Sequence, residues 1–138
     1  MHDTVRTCFD RLRLPMQERG LELELELEEY TCLADRHKLE QAVDNLALNA
    51  LHHADPGPVR VRLTAQGTLT VENRCPPLPP LTADKLWEPF YRLDGAREAG
   101  GSGLGLAIVD HIVTLHGGAR SAQPTDDGLR ITITIPKG

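Results

Sequence analysis

The stretch L-E-L-E-L-E-L-E, Leu21 to Glu28, changes between apolar and charged at every residue. On a helix of 3.6 residues per turn its leucines would scatter around the axis. On an extended strand all four leucines face the core and all four glutamates face water. A sheet with one apolar and one solvated face has to be covered on the apolar side, and helices are the usual cover. Glutamate is a poor strand former, yet the period overrides that preference.

The rest of the chain supplies those helices. Val5 to Arg19 reads as a first helix, with Pro15 as its break point. Asp35 to Ala54 reads as a long helix, capped by Asp35 and carrying an apolar stripe of Leu39, Val43, Leu46 and Ala50. Ala54-Asp-Pro-Gly-Pro58 ends it. Val59 to Leu63 and Thr68 to Val71 form a hairpin around Gln66-Gly67. The prolines of Cys75 to Pro80 impose an extended loop, and Thr82 caps a short helix over Ala83 to Tyr91. Leu104 to Leu115 is a second long helix, stopped by Gly117-Gly118. Ala119 to Ala122 and Leu129 to Ile135 close the chain as strands. The expectation is an α+β, two-layer sandwich: one domain over residues 1–138, a mixed sheet with about three helices on one face.

Bulk properties exclude some functions. A net charge of -5 argues against a nucleic-acid partner. The odd count of cysteines, Cys8, Cys32 and Cys75, with no C-x-x-C pair, argues against a disulfide framework or a zinc knuckle and fits a reducing compartment. No run is long and apolar enough to span a membrane, and M-H-D-T-V-R is no signal peptide. A cytoplasmic domain making no membrane contact is expected, and it can equally be one piece of a larger membrane protein.

G-G-S-G-L-G-L-A-I-V, Gly100 to Val109, crowds four glycines ahead of an apolar helix. Free backbone N–H groups and the positive end of the helix dipole make such a start an anion site. The spacing is not that of a dinucleotide fold, no lysine follows as in a P-loop, and Leu104 spoils a nucleophile elbow. A tight loop needing positive φ is the plainer alternative, but the glycine density favours phosphate. Asn45 and Asn49 stand one turn apart on the long helix, followed by His52 and His53. Asparagine is a weak helix former, so two on one edge suggest a polar task. Its carbonyl is a hard oxygen suited to Mg²⁺ held jointly with phosphates. An asparagine pair tying helix to loop is the rival reading.

These segments resemble a known family. N-L-A-L-N-A-L-H-H-A (Asn45 to Ala54) looks like the N box of sensor histidine kinases, W-E-P-F-Y-R (Trp87 to Arg92) like their F box, and G-G-S-G-L-G-L-A-I-V like their G2 box. The resemblance implies the Bergerat sandwich shared with gyrase-type and Hsp90-type ATPases, with ATP and Mg²⁺ as ligands. It implies Asn49 as the Mg²⁺ ligand, Asn45 beside the triphosphate and His52 on phosphate, these three forming the catalytic set. By the same resemblance His53 would pack near the adenine, and Gly101, Ser102, Gly103, Leu104, Gly105 and Leu106 would bring backbone to the phosphates. Residues 92–101 match a short ATP lid, from which Arg92 and Arg97 would reach the γ-phosphate. Gyrase-type relatives carry a water-activating glutamate at the Asn45 position, so its absence favours transfer to a protein side chain over hydrolysis.

The G1 box departs from the family pattern D-x-G-x-G-I-P. Asn73 falls on the aspartate, Cys75 and Pro77 on the glycines, and Leu78-Pro79 on Ile-Pro. An asparagine carbonyl is a weaker, neutral acceptor for the adenine amino group, and loss of both glycines stiffens the loop, so weak ATP binding is expected. No phosphoacceptor histidine motif is present. The resemblance therefore implies a catalytic domain alone, with residues 1–20 near the junction to a dimerisation domain. It would phosphorylate a histidine of that domain, for relay to a response regulator receiver domain, within a bacterial inner-membrane parent. Two alternatives stand beside it: a degenerate docking module that no longer binds ATP, and an anti-sigma-type serine kinase.

Overall fold

The computed structural model describes residues 1–77, 85–88 and 105–138. The elements follow as α1 (His2–Asp10), α2 (Arg13–Glu18), β1 (Leu21–Leu27), α3 (Arg36–His53), β2 (Gly57–Leu63), β3 (Thr68–Arg74), α4 (Gly105–Leu115), β4 (Ala119–Pro124) and β5 (Gly128–Thr134). The single first helix expected from sequence is two helices, and the break precedes Pro15 rather than falling on it. Proline cannot donate to the carbonyl four residues back, and its ring collides with it. Ending α1 at Asp10 places Pro15 in the first turn of α2, where backbone N–H groups lack intrahelical partners anyway. Met16 N–H then bonds the Leu12 carbonyl at 2.9 Å.

The five strands form one sheet in the order β1-β2-β3-β5-β4. β1 runs parallel to β2, with Leu21 opposite Gly57 and Leu27 opposite Leu63, and the remaining pairs are antiparallel. This is the mixed sheet expected. Val59, Val61, Leu63, Leu69, Val71, Ile131 and Ile133 are buried on the face that meets the helices. The leucines of β1 are less enclosed than the alternation suggested. Leu21 is buried, but Leu23, Leu25 and Leu27 are half-buried, because β1 is an edge strand with a neighbour on one side only.

On the opposite face the glutamates of β1 are not left as an acidic strip. Glu24 faces Arg60 at 3.5 Å and Glu26 faces Arg62 at 3.2 Å. The register extends the first pair across the sheet: Glu24, Arg60, Glu72 and Arg130 lie opposite one another in turn on β1, β2, β3 and β5. Glu72 and Arg130 pair at 2.7 Å. Each exposed pair contributes little alone, but opposite charges directly across strands stabilise a face that glutamate's propensity opposes.

α3 lies between the sheet and solvent. The Asp35 side chain accepts from Lys38 N–H at 3.0 Å, capping it as expected. That backbone N–H, more than any other group, holds the Asp35 carboxyl below its usual range. Leu39, Ala42, Val43, Leu46, Ala47, Ala50 and Leu51 are buried along one stripe. α4 buries Leu106, Val109, Ile112 and Val113. It ends where Gly117, at φ 71°, reverses the chain and Gly118 N–H reaches back to Val113 O at 2.9 Å. His116 ties the two helices: Nδ1 donates to Ile112 O at 2.8 Å while Nε2 accepts from Asp35 N–H at 3.1 Å.

Backbone approach is closest where β3 meets the start of β5. A Cβ on Gly128 would sit 1.9 Å from the Asn73 carbonyl oxygen and 2.8 Å from Arg74 Cα. Both are backbone atoms, with no flexible side chain to move aside. Gly128→Ala is expected to lower stability by about 3 kcal/mol, read as a lower urea midpoint at unchanged slope.

Candidate nucleotide-binding site

Four polar side chains follow one another along the flank of the α3 stripe. Successive residues on a helix turn through about 100°, so Asn45, Asn49, His52 and His53 share that flank while Leu46, Ala47, Ala50 and Leu51 are buried in the core. All four are half-buried. The His52 and His53 rings meet edge to face, centroids 6.4 Å apart. The structure thus brings together the four residues expected from the N-box pattern.

Asn45 is the informative one. Its Nδ2 is buried and makes no hydrogen bond to any described residue. A buried amide donor without a partner is costly, on the order of 1–3 kcal/mol. The arrangement suits a side chain whose partner is a bound acceptor oxygen. Gly105, the first described residue of α4, adds a second sign: a Cβ built there would meet no atom of the described residues within 4 Å. Nothing in the chain's own described packing requires a glycine at this position. An amide donor, an amide carbonyl at Asn49 and two imidazoles fit a triphosphate with Mg²⁺.

Asn73 lies on the helix-facing side of β3, in line with the buried Leu69 and Val71. It is 8% exposed, and its Nδ2 donates to the Arg74 carbonyl at 3.1 Å. Asp55 N–H donates to the same carbonyl at 2.8 Å. A carbonyl only accepts, so the amide must turn its NH₂ toward it and its oxygen away. An aspartate here would set acceptor against acceptor. That is a physical reason for the departure from the G1 pattern.

Cys75 follows, half-buried, with its N–H on Asp127 O at 3.2 Å. Burial first, then the carboxylates of Asp55 and Asp127, pushes its thiol pKa up, which opposes a reactive thiolate. All three cysteines are unpaired. Pro77 is exposed. Leu106 is buried in the core, so its side chain is not a site element and only its backbone remains for a ligand. Leu78, Arg92, Arg97, Gly101, Ser102, Gly103 and Leu104 lie outside the described residues, as does most of the helix expected over Ala83 to Tyr91.

One group the sequence did not reveal is Arg120 on β4. Its guanidinium lies over the buried ring of Trp87, 4.9 Å from the centroid, and its Nε meets Asp110 Oδ1 on α4 at 3.0 Å. Nothing in a lone arginine on a polar strand signals such a contact.

The model of one family, the histidine kinase-, DNA gyrase B- and HSP90-like ATPases, matches residues 34–138. The chain belongs to that family. Its relatives narrow the type. The sensor histidine kinase CusS of Escherichia coli O157:H7 is 35% identical over 141 aligned residues, covering 98% of this chain and 29% of the relative. The structure of the mycobacterial sensor histidine kinase MprB superposes with a TM-score of 0.81 at 31% identity, covering 97% of this chain and 92% of that one. Full-length ShkA in complex with AMPPNP matches with a TM-score of 0.83 at 26% identity, covering 98% of this chain and 29% of that one. The fold is therefore the Bergerat-type sandwich, and the chain is an ATP-binding catalytic domain of the sensor histidine kinase type. It spans 29% of the length of that CusS relative and 27% of the Mycolicibacterium smegmatis MprB relative. These relatives lend no support to the docking-module or serine-kinase alternatives. No described helix is long and apolar enough to cross a membrane.

The unpartnered donor of Asn45 sets function against stability. Asn45→Leu keeps the branched shape and removes the orphan, so the nucleotide-free protein is expected to gain about 1 kcal/mol. Urea unfolding without ligand checks this, and the same variant should lose nucleotide affinity.

Proposed function

We propose that this domain binds Mg-ATP and transfers the γ-phosphate to a histidine on a separate dimerisation domain, for relay to a response regulator receiver domain. The observation that carries the reading is the flank of α3: Asn45 with its unpartnered Nδ2, one turn from Asn49, on a helix packed beside the one that starts at Gly105. A relative of the same fold, ShkA, is described in complex with AMPPNP. The parent is a bacterial inner-membrane sensor with this domain on its cytoplasmic side, an assignment resting on the type of relative matched.

Asn49 would hold Mg²⁺ through its amide oxygen, and the metal supplies charge neutralisation at the phosphates. Asn45 Nδ2 would donate to a phosphate oxygen, which removes its desolvation cost when ligand enters. His52 would add a donor from the same flank. The amide oxygen of Asn73, turned away from Arg74 O, would accept from the adenine amino group. Phosphoryl transfer needs positioning and charge stabilisation more than acid-base chemistry. The flank offers amides and imidazoles, with no carboxylate at the Asn45 position to activate water. This composition supports transfer to a protein side chain over hydrolysis. The neutral acceptor at Asn73 and the prolines that follow it support weak binding, short of low-micromolar affinity.

Calorimetric titration with AMPPNP tests the reading. Heat should depend on Mg²⁺, and Asn49→Ala should cost at least about tenfold in affinity, with little change in the metal-free titration. Labelled ATP with a cognate dimerisation domain should give an acid-labile phosphohistidine. Acid-stable product would point to a serine kinase. A folded protein that ignores millimolar analogue would overturn nucleotide binding itself.

A further inference from the structure

Trp87 and Asp110 stand on either side of residues 89–104 in the sequence, and both meet the same side chain. Arg120 reaches up from β4 to both: its guanidinium plane covers the indole at 4.9 Å, and its Nε bonds the Asp110 carboxylate at 3.0 Å. The indole is 3% exposed, whereas Arg120 and Asp110 are each about one-third exposed at the side chain. The cation therefore sits at the boundary, with a buried aromatic face beneath it and a half-wet carboxylate beside it. That is the setting in which a cation–π contact and an ion pair reinforce each other's geometry.

The position matters because of what α4 does. Asp110 lies five residues beyond Gly105, about one and a half turns along α4. β4 is an edge strand paired with β5 and anchored in the sheet. One guanidinium thus refers the first half of α4 and the Trp87 segment to the same fixed point. At the far end of α4, His116 refers the helix to the cap of α3. We infer that Arg120 is a positioning residue for the nucleotide site, acting through Asp110 and Trp87 to fix the N-terminal half of α4 against the sheet. This deepens the proposed function and rests on it. Arg120 touches no ligand in this account and is not a catalytic residue.

A surface arginine can also be merely stabilising, so the test compares it with one. Arg130 forms an ion pair of similar exposure with Glu72 at 2.7 Å on the outer face of the sheet. The measurements are urea stability, amide hydrogen exchange over Gly105–Val109 without nucleotide, and AMPPNP affinity with Mg²⁺, for the wild-type chain, Arg120→Met, Arg120→Lys and Arg130→Met. Arg120→Met should speed exchange in the first turns of α4 and weaken AMPPNP binding by about three- to tenfold. Arg120→Lys, which keeps a cation able to reach both partners, should recover part of both effects. Arg130→Met should cost comparable stability and leave exchange in α4 and affinity unchanged. Wild-type binding with equal affinity in Arg120→Met would overturn the inference alone. Equal losses in Arg120→Met and Arg130→Met would reduce Arg120 to a stabilising contact and overturn it too. A wild-type chain that fails to bind AMPPNP would remove the proposed function, and the inference with it.

Discussion

Everything in this domain hangs on the burial of one helical stripe. Leu39, Val43, Leu46 and the alanines at 42, 47 and 50 press α3 against the sheet. Apolar burial contributes roughly 25 cal/mol per Å², and small residues let α3 approach its neighbouring helices closely. The flank of the same helix carries Asn45, Asn49 and His52, so the contact that builds the core also sets the height and rotation of the polar residues. A substitution that shifted α3 by a fraction of an ångström would move the site as a unit. The capping of α3 by Asp35 and the tie from His116 add orientation to what burial supplies in energy.

Much of this was legible in the sequence because the signals were periodic or compositional. The two-residue period of Leu21 to Glu28 defined a strand, and glycines at 117 and 118 marked the end of α4. The asparagines at 45 and 49 announced a polar flank, and the structure places them there with an unpartnered amide. What escaped had tertiary causes. The half-exposure of Leu23, Leu25 and Leu27 follows from β1 being the edge of the sheet, which alternation cannot reveal. The helix break at Arg11 and Leu12 depends on where a proline's missing donor is tolerated, four residues away from where the proline draws the eye. Arg120 over Trp87 joins residues far apart in sequence and leaves no local pattern.

The G1 segment shows how local chemistry and family pattern reconcile. From sequence, Asn73 looks like a weakened aspartate. In the structure its amide bonds Arg74 O, a carbonyl that also takes Asp55 N–H. The Asp55 N–H fastens the end of β3 to the turn after α3, and the Asn73 amide adds a second, local donor to the same carbonyl. An acidic side chain could serve a base amine better, but it could not make this bond. The departure exchanges the strength of one acceptor for a local bond to the neighbouring carbonyl.

The charged row on the open face has a consequence for how copies of the chain meet. β1 is a sheet edge, and an exposed edge invites pairing with another strand. Its wet side carries Glu22, Glu24 and Glu26 in succession. Glu24 and Glu26 are already matched by arginines on β2. A second copy laid along the same edge would bring glutamates opposite glutamates, with no arginine left between them. Like charges directly across strands repel. The edge therefore discourages self-association into a continuous sheet, and the alternation that builds the strand also keeps it solitary.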